Sequence, residues 1–240
     1  MPPDAAVGWV HYLPLITTVV CLVFCVQLLW RFHQRRSGAH LLWWGIGVFA
    51  FGVGTALESA ITLGGNSVLL NKSWYIAGAL CGGYPLAQGS VFLLMNRRTA
   101  WTLTAITLPI VIVLSVLVAL SPVVVEAMES HRPSGAILGW QWIRWMTPIV
   151  NLYAAGFLVG GAVVSAGRYH GSRKPGDGAR ALGNALIAVG ALLPGIGGGM
   201  AKAGVVEALY VGEFIGIILI WLGYMTCVRA SSTRDVGEKE

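Results

Sequence analysis

Long apolar runs separated by short polar turns set the pattern of this chain. A helix of about 20 apolar residues crosses the hydrocarbon core of a bilayer. Seven segments reach that length, at roughly 10–30, 41–63, 74–95, 100–125, 143–166, 180–200 and 206–228. The pattern predicts an all-α polytopic membrane protein. Its seven transmembrane helices form a single domain over residues 1–240, closed by a short tail at 229–240.

The second half of the pattern repeats the first. Arg31-Phe32-His33 recurs as Arg168-Tyr169-His170, and after a one-residue slip Arg35, Arg36 and Gly38 recur as Arg173, Lys174 and Gly176. The register then holds into the next apolar run, where Gly45, Ala50 and Gly52 match Gly183, Ala188 and Gly190. The repeat predicts two units, about 10–95 and 143–228, joined by a linker helix at 100–125, a 3+1+3 arrangement of the kind parallel-repeat transporters use. Within each unit, glycines seven residues apart keep one helix face small, which lets neighbouring backbones approach closely.

Composition agrees with the spans. Hydrophobic residues make up 56% of the chain and charged residues 11%, with a mean hydropathy of +0.72. The net charge of +6 would point to nucleic acid in a soluble protein, but here the cations sit in turns between apolar runs, so no nucleic-acid partner is expected. Of the 16 Lys and Arg residues, Arg31, Arg35, Arg36, Arg97, Arg98, Arg168, Arg173, Lys174, Arg180, Arg229, Arg234 and Lys239 fall on one side. Lys72, Arg132, Arg144 and Lys202 fall on the other. That asymmetry predicts an N-terminus outside and a C-terminus inside, in the plasma (inner) membrane of a bacterium. Tryptophans mark both interfaces, with Trp9, Trp74, Trp140, Trp142 and Trp145 near the outer one and Trp30, Trp43, Trp44, Trp101 and Trp221 near the inner one. No basic region precedes the first apolar run, so that run is expected to be a retained helix rather than a cleaved leader.

The residues exclude several chemistries. Cys21, Cys25, Cys81 and Cys227 all lie in apolar segments, and neither they nor the histidines have metal-ligand spacing. No glycine-rich phosphate loop, HExxH or GxSxG elbow is present. The last segment has no lysine for a retinal Schiff base, and no histidine sits mid-membrane for haem. The expectation is a protein with no cofactor, no metal and no catalytic centre of its own.

Charged and polar groups within the spans are the candidate functional residues, because their burial in lipid is costly. Glu58 and Glu213 lie in the outer parts of segments 2 and 7 and could face one outward-opening cavity. Alternatively each pairs with Lys72, Lys202 or Arg144. A deeper layer contains Tyr84 and Gln88 on segment 3, Asn151 and Tyr153 on segment 5 and Asn184 on segment 6. Groups at that depth need partners, which either a ligand or a neighbouring helix supplies. Pro14, Pro85, Pro109, Pro148 and Pro194 interrupt their segments, each freeing a carbonyl that must be satisfied inside the protein.

Seven helices, an external N-terminus and a 3+1+3 repeat resemble the SWEET and PQ-loop transporters. Their Pro-Gln motif is replaced here by Pro14-Leu15 and Pro148-Ile149. The stretch from Trp30 to Glu58 followed by NKSWYIAGALCGGYPLAQG is similar to the seven-helix sensor region of some bacterial histidine kinases. These resemblances imply two functions. One is binding of a small solute or lipid within the bundle, for transport, with Glu58, Glu213, Tyr84, Gln88, Asn151 and Asn184 as the lining. The other is a sensor or accessory subunit acting on a protein partner at the basic turns.

Overall fold

The computed structural model describes residues 8–35, 38–172, 174 and 176–237, with side chains through Ser231. Arg36, Arg173 and Lys239, assigned above to the basic turns and tail, lie outside the described residues, as does the side chain of Arg234. The protein is helical, and seven helices are long and apolar enough to cross a membrane.

A 3-10 turn, Trp9–Tyr12, leads into α1 (Leu13–Arg35). Next come α2 (Ala39–Gly64), the α3 span (Val68–Leu94), α4 (Arg97–Leu120), the α5 span (Gln141–His170), α6 (Asp177–Lys202) and α7 (Glu207–Gly237). Two spans are irregular. α3 is a helix over Val68–Trp74, a π-helix over Tyr75–Leu80, a break at 81–83, and a second helix over Tyr84–Leu94. α5 carries a π-helical stretch, Ala155–Gly160.

Local chemistry explains where these elements start and stop. Side chains cap α3 and α4: Ser67 Oγ accepts from Leu70 N at 3.2 Å, and Asn96 Oδ1 from Thr99 N at 2.9 Å. α4 stops at Leu120, short of the expected 125, because Ser121 precedes Pro122 and is pushed into extended backbone. Pro14 and Pro85 fall at helix starts, where a missing N–H costs nothing, whereas Pro109, Pro148 and Pro194 lie inside helices. Among the described residues, the glycines with left-handed backbone are Gly38, Gly65, Gly176 and Gly204. They flank α2 and α6, two helices of 26 residues each.

Two compact units divide the chain between Ala154 and Ala155. In the first, α2 packs against α1 and both halves of α3. Gly52 leaves room for Cys21, and Gly45 for Leu29. Thr18 and Thr55 hydroxyls meet across the α1–α2 pair at 2.9 Å, and Cys25 Sγ donates to Gly45 O at 3.4 Å. On its other face α2 meets α3 through Gly54, whose Cβ would fall 2.8 Å from Gly78 Cα.

The α4–α5 connection, residues 121–140, is an ordered cap on the first unit. Bridges at Val123↔Leu138 and Glu129↔Arg132 fold it back on itself. Asn66 Nδ2 donates to the carbonyls of Glu129 and Arg132 at 2.8 and 3.1 Å, and Ser134 N donates to Asn71 Oδ1 at 3.3 Å. Lys72 Nζ donates to the carbonyls of Ala119 and Ser121 at 2.9 and 2.6 Å, closing the end of α4. Beneath lies an apolar cluster of Tyr75, Val118, Ile137, Leu138 and Ile143.

The second unit contains the remainder of α5 with α6 and α7. Here glycines meet the opposing backbone. A Cβ on Gly183 would stand 2.7 Å from Gly223 O, one on Gly190 2.6 Å from Gly216 O, and one on Gly197 2.6 Å from Ala208 O.

Candidate functional site

Burial decides which polar residues of the first unit matter. Gln88, 0% exposed, sits one turn into the second half of α3, just past the break. Its Nε2 donates to Thr104 Oγ1 at 2.6 Å and to Ala100 O at 3.3 Å, both on α4. Its Oε1 accepts from the Tyr153 hydroxyl of α5 at 2.7 Å. One amide therefore ties three helices together. Tyr84, 2% exposed, opens the same half-helix and shares a 2.9 Å hydrogen bond with Thr107 Oγ1. The Tyr84 and Tyr153 rings lie 6.0 Å apart.

The break itself is built from small residues. Gly82 has no room for a side chain, since a Cβ would fall 2.5 Å from Gly78 O. Gly83, the N-cap of the second half-helix, offers no side-chain cap, and its own Cβ would lie 3.0 Å from Ala154 Cβ on α5. The start of a helix thus stands at the middle of the span, beside two phenols and an amide. Lipid cannot satisfy backbone groups at such a break, so protein or a bound molecule must.

The other candidates fall into three settings. Glu58 is buried, at 2% exposure, on the face of α2 that also buries Thr55, Ser59 and Thr62. Two of its anticipated cation partners are engaged elsewhere, Lys72 on backbone carbonyls and Arg144 on Gln141 Oε1 at 2.8 Å. Asn151 is exposed, and its Nδ2 reaches Ala79 O at 3.3 Å on the π-helical part of α3. Asn184 and Glu213 belong to the second unit and are half-buried. Asn184 Nδ2 donates to Arg180 O of its own helix at 2.8 Å and to Cys227 Sγ at 3.6 Å, so it splices α6 to α7.

Of the six candidates, Tyr84 and Gln88 share one constellation, and Tyr153, Thr104 and Thr107 complete it. The two threonines escaped the sequence reading. Their signal is a face of α4 at three- and four-residue spacing, Ala100, Thr104, Thr107, Val111 and Leu114, on which two hydroxyls interrupt small and aliphatic residues.

A second polar cluster closes one end of the second unit. Asp177, 3% exposed, accepts from Ser172 Oγ at 2.5 Å and pairs with Arg180 at 3.5 Å. The Arg180 guanidinium also lies over the Tyr169 ring at 5.5 Å and reaches Ser231 Oγ at 3.3 Å. Together these groups hold the α5–α6 turn to α7. Among the described residues no group of His, Cys, Asp or Glu is gathered so as to hold a metal ion. No protein family, curated protein or solved structure matches the chain.

Proposed function

We propose that this is a multi-pass plasma-membrane protein that binds a small solute or a lipid within its helix bundle, for transport, without a catalytic centre of its own. The observation that carries the reading is the interrupted α3. A break at mid-span, with Gln88, Tyr84 and Tyr153 converging on the new helix start, is how membrane transporters present backbone and amide groups to a ligand. Thr104 and Thr107 hydrogen-bond the same polar groups, contacts that a ligand would exchange for its own. Glu58 adds a buried carboxyl to the same unit.

Two further features belong to the proposal. The N-terminus lies outside and the C-terminus inside, on the strength of twelve cations against four among the 16. The fold arose by duplication with 3+1+3 symmetry, a view supported by the left-handed glycines Gly38 and Gly176, which stand as N-caps of α2 and α6.

Native mass spectrometry of gently extracted protein tests the reading. The wild type is expected to retain one small molecule or lipid, and Gln88→Leu to lose it while staying monodisperse and helical. A ligand retained equally by Gln88→Leu would remove the hub from the binding site. A stoichiometric protein partner with no bound small molecule would favour the sensor or accessory-subunit reading. That alternative has one observation behind it. α7 runs for 31 residues, about 46 Å of helix, against about 30 Å of hydrocarbon. It can therefore extend past the bilayer as a rod able to pass a signal on.

A further inference from the structure

From the hub, a chain of aromatic rings runs to one end of the first unit. Tyr84 stands edge-on to Trp43 with centroids 6.2 Å apart, Trp43 stacks on Phe92 at 6.4 Å, and Phe92 meets Trp101 edge-on at 5.2 Å. These rings come from α2, α3 and α4, so the chain crosses three helices. Exposure rises along it. Tyr84 is 2% exposed, Trp43 and Phe92 are half-buried, and Trp101 is 52% exposed.

Trp101 lies one turn beyond the α3–α4 connection, where Arg97 and Arg98 stand exposed. Among the described residues neither guanidinium has an ion-pair or hydrogen-bond partner, and no acid lies in the first turn of α4. Two cations at a membrane boundary, directly beside an aromatic face that leads inward, complement an amphiphile with an anionic head and an apolar tail. A free anion would use the arginines and leave the rings idle. A neutral lipid would use the rings and leave the arginines idle.

We infer that this face docks an anionic phospholipid, with its phosphate on Arg97 and Arg98 and an acyl chain along Trp101, Phe92 and Trp43 toward Tyr84. The inference rests on the proposed hub for the destination of the chain, and it names a lipid as the ligand class. α4 suits a lateral approach, since only a minor share of its surface is buried against the rest of the protein.

The test uses the full-length protein in detergent with equimolar phosphatidylglycerol and phosphatidylcholine of identical chains, read by native mass spectrometry. The wild type is expected to bind phosphatidylglycerol first, with a preference of about tenfold or more. R97A/R98A should bring that preference close to unity. Arg144→Ala, on a different turn, should leave it intact. Trp101→Ala should lower occupancy by both lipids while preserving their ratio, a result that separates the aromatic face from the charges. The double variant keeps most of the inward-side cations, so its topology should hold, and labelling of an introduced terminal cysteine checks it. Undiminished preference in R97A/R98A, or no preference in the wild type, would overturn the inference. If a Gln88-dependent ligand is found without phosphatidylglycerol preference, the hub stands and the lipid face falls. If the preference tracks Arg97 and Arg98 but no ligand depends on Gln88, the lipid face stands and the hub falls.

Discussion

Gly45 and Gly183 occupy matching places in the proposed repeat, yet they do different jobs. Gly45 faces the flexible end of Leu29, 2.7 Å from where its Cβ would sit, and the α1–α2 pair around it is fastened by side chains such as Thr18 and Thr55. A Cβ on Gly183 would meet Cys227 Sγ at 2.6 Å and the main chain of α7 at Gly223 O, 2.7 Å away, and along the α6–α7 pair backbone lies close on backbone. The α1–α2 pair is thus joined by side-chain hydrogen bonds, and the α6–α7 pair by a glycine-lined contact. A glycine's neighbours, more than its spacing, determine what it contributes.

Substitutions can break that contrast or sharpen it. The largest effect is expected from Gly190→Ala, whose new methyl would press on Gly216 O, Leu219 Cβ and Ile220 N. Forcing α6 from α7 should cost about 3 kcal/mol in reversible unfolding from mixed micelles. A loss below about 1 kcal/mol would mean that the pair is less tightly seated than described. Gln88→Leu should cost about 2 kcal/mol by the same measurement, because it removes the buried hydrogen bonds that the amide makes to Tyr153 and Thr104. No destabilisation there would show that the hub is not what holds α3, α4 and α5 together.

Asp177→Asn tests the polar end of the second unit. Losing the charge that Arg180 meets should cost about 1.5 kcal/mol, less than either change above. A loss larger than that of Gly190→Ala would make the second unit as dependent on polar bonding as the first. Thr18→Val removes one interhelical hydroxyl and should cost about 0.6 kcal/mol, the usual size for such bonds in membranes. Gly45→Ala sits at the bottom of the scale at under about 0.5 kcal/mol, since Leu29 can rotate away. Equal losses for Gly45→Ala and Gly183→Ala would erase the contrast.

These comparisons also show what was readable from the residues alone. The seven spans were legible because a twenty-residue apolar run has few other uses. Tyr84 and Gln88 were legible as a pair because both are polar at mid-span, one turn apart. The break at 81–83 was legible in part: Pro85 marked an interruption of the segment, while the glycines before it signal close packing as readily as a break. The cap was hidden by Val123, Val124 and Val125, which look like more of α4 until Pro122 is weighed against them. Asn151 and Asn184 carried the same signal as Gln88. Only the positions of Ala79, Arg180 and Cys227 reveal that backbone and sulfur neighbours take up their amides.

The folded α4–α5 connection has a practical corollary for mapping this protein in cells. Residues 121–140 form the longest connection between described spans, and a protease or a bulky thiol reagent would ordinarily be aimed there. With its backbone bound to Asn66, Asn71 and Lys72 and its apolar side chains tucked over Tyr75, this stretch should resist cleavage in intact cells. A digestion experiment would then report a shielded loop and assign it to the wrong compartment. A small reagent directed at a cysteine introduced at exposed Glu126 would give the correct side.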